Sequence, residues 1–183
     1  MENRAKSARY HSLDASALIC YFGNETNKPI LDKYFLEYPI NSYCYTPPFC
    51  YYEALNIFKR QCFHKQKIDV EQYKSYCKKL NHWLNMSDLT FKNGGFKDLD
   101  IRDYNTIEKV VKIVDDYSDD YSIDFSDAFQ LVSLKYGCFS SAVDGSKTIL
   151  ITQDENLSNI AVKMDIRVWL FNKETMPSPY SEV

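Results

Sequence analysis

Two short apolar runs, TILIT (148–152) and IRVWLF (166–171), bracket a helical pattern, ENLSNIAVKM (155–164). Runs this uniformly apolar and β-branched leave no face for water, so each reads as a strand buried on both sides. A strand, a helix and a second strand in that order belong to a parallel sheet covered by helices. The alternation begins earlier in the chain. Tyr10–Asp14 reads as a strand and ALICYF (17–22) as a helix, with a break at GNETNKP (23–29). A short helix, ILDKYFLEY (30–38), and a strand, NSYCYT (41–46), follow. Proline is tolerated at a helix start, so PPFCYYEALNIFKRQCF (47–63) reads as a helix launched at Pro47 and Pro48.

The middle of the chain is helical without a strand partner. Val70, Tyr73, Cys77, Leu80 and Leu84 recur at spacings of three and four, which predicts a helix over 69–85. LTFKNGGFKDLD (89–100) reads either as a short strand or as a loop turning at Gly94 and Gly95. Ile107, Val110, Val111, Val114 and Tyr117 form one stripe of a helix over 105–117. SDDYSIDFS (118–126) is turn-like, and DAFQLVSLKYG (127–137) is helical up to Gly137. CFSSAVDGSK (138–147) reads as a loop. The expected fold class is therefore α/β: a parallel sheet with helices on both faces, plus an extra helical insertion around 65–105. With 183 residues the chain holds one domain, expected over 10–172. Residues 1–9 are expected to be a flexible segment and 173–183 a mobile tail.

Composition narrows the chemistry. Lys and Arg number 22 against 25 Asp and Glu, a net charge of −3, so nothing in the total announces a nucleic-acid binder. A local basic rim can still act. Six cysteines show no C-x-x-C pair and no zinc spacing, and most lie among apolar neighbours. The opening MENRAKSARYH lacks the apolar region of a signal peptide, and no run reaches the roughly 20 apolar residues of a membrane span. The expectation is a reduced, cytoplasmic protein with no membrane partner. The histidines at 11, 64 and 82 are scattered without metal spacing, and His11 reads as structural.

Acids stand where ligands bind in such sheets, beyond the carboxyl ends of strands. Asp14 ends the first strand, and Asp154 follows TILIT within two residues. Glu53 lies in the first turns of the helix after NSYCYT, and Asp127 opens the helix before TILIT. Each has an ordinary reading: helix caps for Asp14 and Asp154, a first-turn acid for Asp127, a solvated face for Glu53. Gathered together, four carboxylates repel unless a cation compensates, and hard oxygen donors suit Mg²⁺ or Mn²⁺. Lys59 and Arg60 lie about two turns beyond Glu53 on the same helix, and Arg60 falls near its face, where it could meet a phosphate. The lysines at 65, 67, 78 and 79 are further basic spots. The aromatic run NSYCYTPPFCYY (41–52) offers either core packing or base stacking.

Taken in order, LDAS, YYEALNIF, DFSDAFQL and LITQD resemble the PIN-domain ribonucleases, including toxins of toxin–antitoxin modules. The resemblance spans residues 10–171. It implies metal-dependent RNA hydrolysis, with Asp14, Glu53, Asp127 and Asp154 as the acidic, catalytic set around Mg²⁺ or Mn²⁺. Asp14 and Asp154 would be direct ligands, and Asp127 a direct or water-mediated one. Glu53 would hold a metal-bound water or a second ion. Ser16 and Thr152 map onto hydroxyl positions that orient the site. Asp124 precedes the same helix as Asp127 and is its rival. RNA is the implied substrate, and the toxin branch adds an inhibitory antitoxin protein and a homodimer as partners. Two features depart from the small toxins: the interval between Asp127 and Asp154 is longer, and the central helical region is extra. A haloacid-dehalogenase-type phosphatase fits less well, because Ser16 stands where that family has a second Asp. The alternative within the same fold is an inactive PIN-like module that binds RNA or protein.

Overall fold

Side chains that alternate between two apolar surfaces define the sheet. A computed structural model describes residues 10–37, 40, 44–93 (backbone alone for 86–93), 99–137, 140 and 148–177. Its strands are β1 (His11–Leu13), β2 (Cys44–Tyr45), β3 (Ile149–Thr152) and β4 (Arg167–Leu170). They lie in the order β2-β1-β3-β4, and every neighbouring pair is parallel. Leu13 stands beside Ile151, and Thr152 beside Leu170. The helices are α1 (Ala15–Phe22), α2 (Lys28–Glu37), α3 (Pro48–Phe63), α4 (Val70–Asn93), α5 (Tyr104–Tyr117), α6 (Phe125–Tyr136) and α7 (Glu155–Lys163).

Successive strand residues serve opposite faces. Leu13, Ile149, Ile151 and Trp169 pack with Leu18 of α1, Tyr34 of α2, Phe58 of α3, and Leu80 and Trp83 of α4. Tyr45 and Leu150, from the other face, pack with Val110 and Ile113 of α5, Leu131 of α6 and Ile160 of α7. The fold is thus a three-layer α/β structure with a parallel sheet in the middle, as the alternation predicts. The buried polar residues of β1 bond to both layers: His11 Nε2 meets the Tyr34 hydroxyl at 2.5 Å, and Ser12 Oγ accepts from Gln130 Nε2 at 3.0 Å.

Local signals start the helices. Asp14, Asp103, Asp124 and Asp154 cap α1, α5, α6 and α7 with their side chains, each accepting backbone N–H groups of the first turn. Asp69 and Gln72 exchange backbone and side-chain bonds at the head of α4 (2.7 and 2.9 Å), a capping box. Pro48 sits in the first turn of α3. Gly23 ends α1 where a β-carbon would lie 2.8 Å from the Phe58 ring, so a side chain there would push α3 away.

Three expectations need adjustment. The helix expected over 69–85 continues to Asn93, so 89–93 are neither strand nor loop, and Gly94 and Gly95 lie outside the described residues. On α5, Val110 and Ile113 are buried whereas Ile107 and Val111 are exposed, because the neighbouring layer covers a narrower arc than the apolar periodicity offers. The helix expected from Asp127 starts at Phe125, since Asp124 provides the cap.

The first residues of the expected tail are tied to the sheet. Glu174 Oε2 accepts from the Leu170 N–H at 3.0 Å, and Met176 packs on the core. Residues 1–9, 41–43 of the second expected strand, 138–139 and 141–147 of the expected loop, and 178–183 lie outside the described residues. No disulfide joins Cys20, Cys44, Cys50, Cys62 and Cys77 to one another. No helix among the described residues is long and apolar enough to cross a membrane.

Candidate active site

The chain runs from β1 to β2 on one side and returns to β3 on the other. The gap between β1 and β3 is therefore a topological switch point, where crossover helices diverge and leave a crevice. Asp14 closes β1 at this gap, and Asp154 follows β3. α1, α3, α6 and α7 all begin on this edge, because each follows a strand end or runs back toward a strand start.

Asp14 is the buried centre, only 5% exposed. Its Oδ1 accepts from the Ala15 N–H at 2.6 Å, and its Oδ2 from the Ser16 N–H at 3.2 Å. Two hydroxyls also donate to Oδ2: Ser16 Oγ at 2.6 Å and Thr152 Oγ1 at 2.9 Å. Each hydroxyl in turn accepts a backbone N–H from the turn after β3, Ser16 from Gln153 and Thr152 from Asp154, both at 2.9 Å. Ser16 and Thr152 thus staple the β1–α1 turn to the β3–α7 turn. Asn27 Nδ2 adds a bond to Gln153 Oε1 at 2.9 Å. Burial pushes the Asp14 carboxyl above the usual range, and the bonds from Ser16, Thr152 and Ala15 oppose that rise.

The other acids surround this centre. Asp127 is pushed up to about 8, first by desolvation and then by the charges of Asp124, Asp14, Asp154 and Glu53. Glu53 is solvent-accessible, yet it too is raised, by partial desolvation and then by Asp14, Asp124 and Asp154, against the pull of Arg60. These mutual effects place the four predicted acids, with Asp124, around one edge. Asp154 caps α7 through Leu157 N–H at 3.0 Å and is exposed. Asp124 spends Oδ1 on Ser126 and Asp127, at 2.6 to 2.9 Å, and so serves α6 as its cap. The helix-cap reading of Asp14 and Asp154 therefore holds, and it leaves both at the same edge of the sheet.

No salt bridge among the described residues reaches Asp14, Glu53, Asp127 or Asp154. The contrast next door is sharp: Glu155 pairs with Lys173 at 2.5 Å. In kind, these donors suit a hard divalent cation, which would offset the desolvation and repulsion that hold Asp127 up. In arrangement they are open: among the described residues, no three His, Cys, Asp or Glu side chains meet as a ready-made metal group.

Sequence reasoning missed the floor of the site. Cys50, in the first turn of α3, is buried and points its thiol at Gln130 Oε1 (3.4 Å) and Asp14 Oδ1 (4.0 Å). Burial, then Asp14, Asp127 and Glu53, raise the Cys50 thiol well above its usual value, so it remains a hydrogen donor. Gln130 joins it to Ser12 of β1. A carboxamide inside the apolar stretch AFQLVSL was the available signal for Gln130. Cys50 offered none, being a small hydrophobe in most cores.

Comparison with known proteins adds no relative: no protein-family model matches the chain, and neither does any curated protein or solved structure.

Proposed function

We propose that the chain is a Mg²⁺- or Mn²⁺-dependent ribonuclease that hydrolyses RNA phosphodiester bonds, in the manner of the PIN-domain enzymes it resembles. One observation carries this reading. Five carboxylates from four segments crowd the switch-point edge, and desolvation together with their charges holds Asp127 up to about 8, with no salt bridge among the described residues to relieve it. A protein with only a structural use for these acids would gain from pairing them.

Asp14, Asp127, Asp154 and Glu53 are the residues that would hold the ion. When bound, such an ion lowers the pKa of a water and neutralises charge on phosphoryl oxygens. The chain's own residues do the rest. Ser16 and Thr152 fix the Asp14 carboxylate and lock it to the turn bearing Asp154. Asp127, without a cation, keeps its proton at neutral pH. The charge of Arg60 acts on Glu53, and its guanidinium is suited to a substrate phosphate. Under this reading the protein works in the cytoplasm, and the toxin branch of the resemblance adds an inhibitory antitoxin and a second copy as partners.

The second reading, a PIN-like module that binds RNA or protein without cutting, is favoured by the open donor set. Two measurements separate them. Millimolar Mn²⁺ should raise the melting temperature; at 100 times the dissociation constant the gain is about 2.7 kcal/mol. Wild type with Mn²⁺ should then cut a mixed RNA pool, and EDTA or Asp154→Asn should stop it. A metal-bound protein that leaves every RNA intact belongs to the second reading. Indifference of melting to the ion removes the metal site itself.

A further inference from the structure

The aromatic run around residue 50 divides in the fold. Cys44, Tyr45 and Cys50 are buried in the two cores, whereas Phe49 and Tyr52 face outward, 38% and 63% exposed. Phe125, the first residue of α6, is 61% exposed. These aromatics are not scattered. Tyr52 directly precedes Glu53, and Phe125 directly follows Asp124, whose charge acts on Glu53. The Phe49 ring meets the Phe129 ring edge-on at 5.5 Å, and Phe129 lies one turn along α6 from Phe125. The start of α3 and the start of α6 therefore form adjoining parts of one rim.

The outward face of α3 continues the pattern. Tyr52, Asn56, Lys59 and Arg60 follow at helical spacing, and all four are exposed. Lys59 and Arg60 make no salt bridge among the described residues. They lie roughly 10–12 Å along the helix from Tyr52. Aromatic faces, then a carboxamide, then two cations are what a nucleic-acid strand needs: stacking for bases, a hydrogen-bonding group, and charge for the following phosphate.

We propose that Tyr52 and Phe125 stack on unpaired bases of an RNA strand laid across the acidic edge, with Arg60 and Lys59 holding a neighbouring phosphate. The assignment rests on the ribonuclease reading for its substrate class and adds a requirement to it. A base inside a duplex has both faces covered by its neighbours, so a side chain reaches only a base that has left the stack. The rim thus selects single-stranded segments and excludes duplex from the acids. Phe49, held against Phe129, backs the rim.

The test uses the full chain and a short oligoribonucleotide carrying 2-aminopurine, either single-stranded or annealed to its complement. Binding is read by 2-aminopurine quenching with Ca²⁺, and cutting is read separately with Mn²⁺. Wild type should quench the single strand and bind it more tightly than the duplex. Tyr52→Ala and Phe125→Ala should each weaken binding by about 10-fold, the loss of a base–aromatic stack. Tyr52→Phe should restore binding and Tyr52→Leu should not, because an aliphatic group of similar bulk offers no ring face. Both positions are exposed, so melting temperatures should stay near wild type. Alanine variants that bind like wild type, full rescue by leucine, or equal binding of duplex would each overturn the assignment. So would a wild type that binds neither form, which would turn the rim into a protein-docking surface. Stacking without cutting defeats the nuclease reading and leaves the assignment standing. Cutting that is indifferent to Tyr52 and Phe125 does the reverse.

Discussion

The inner and outer halves of the acidic edge are made from the same side-chain chemistry and treated in opposite ways. Asp14, inside, accepts bonds from two backbone N–H groups and two hydroxyls. Neutral donors fix its position without cancelling its charge. Asp127 and Glu53, outside, are raised by desolvation and by neighbouring carboxylates, and neither they nor Asp154 has a salt bridge among the described residues. The inner carboxylate belongs to the frame as well as to the candidate site, whereas the outer ones make the fold less stable. Removing the acceptor should therefore cost stability at Asp14, and removing the charge should restore it at Asp127.

The largest effect is expected at the centre. Asp14→Ala deletes the α1 cap and leaves two hydroxyls without their acceptor, which should destabilise the chain by roughly 3 kcal/mol in urea unfolding. An unfolding midpoint equal to wild type would erase the distinction between the two halves. Asp127→Asn should act with the opposite sign. In the folded chain Asp127 keeps its proton up to about pH 8, whereas the unfolded chain releases it near 3.8. The folded state holds the extra proton between those limits, so stability falls as pH rises through that window. The upward shifts of Asp14 and Glu53 act in the same direction. With allowance for solvent contact, Asp127→Asn should stabilise the metal-free protein by roughly 2 kcal/mol at pH 8 and hardly at all below pH 4. Melting curves at the two pH values decide the matter; a loss at pH 8 would mean that Asp127 is compensated after all. The smallest change in stability belongs to Asp154→Asn. Asn caps a helix about as well as Asp, so the shift should stay within about 0.5 kcal/mol. A loss beyond that range would move Asp154 into the inner class.

The layered fold was legible because buried strands carry an unmistakable composition. TILIT and WLF have no polar face, and a parallel pair needs its crossover helix. The acids were legible for a local reason: Asp14 and Asp154 stand where strands give way to helices. Less could be read where the outcome depends on partners distant in sequence. Strand order placed β3 beside β1, and only that neighbourhood lets Ser16 and Thr152 share one carboxylate oxygen. Cys50 and Gln130 meet across 80 residues of chain. Nothing local distinguishes the exposed Tyr52 from the buried Tyr45, seven residues earlier. Asp124 caps α6, as Asp14 and Asp154 cap α1 and α7, so capping does not choose between Asp124 and Asp127.

The start of four helices on one edge has a further consequence. Each helix head carries partial positive charge on its free amides, equivalent to about half a unit. α1, α3, α6 and α7 thus supply the acids with a built-in counter-charge that no titration or chelator removes. Many small zinc domains collapse when stripped of their ion. Under the ribonuclease reading, EDTA should act as an inhibitor and not as a denaturant, leaving a folded protein that recovers when the divalent ion is returned.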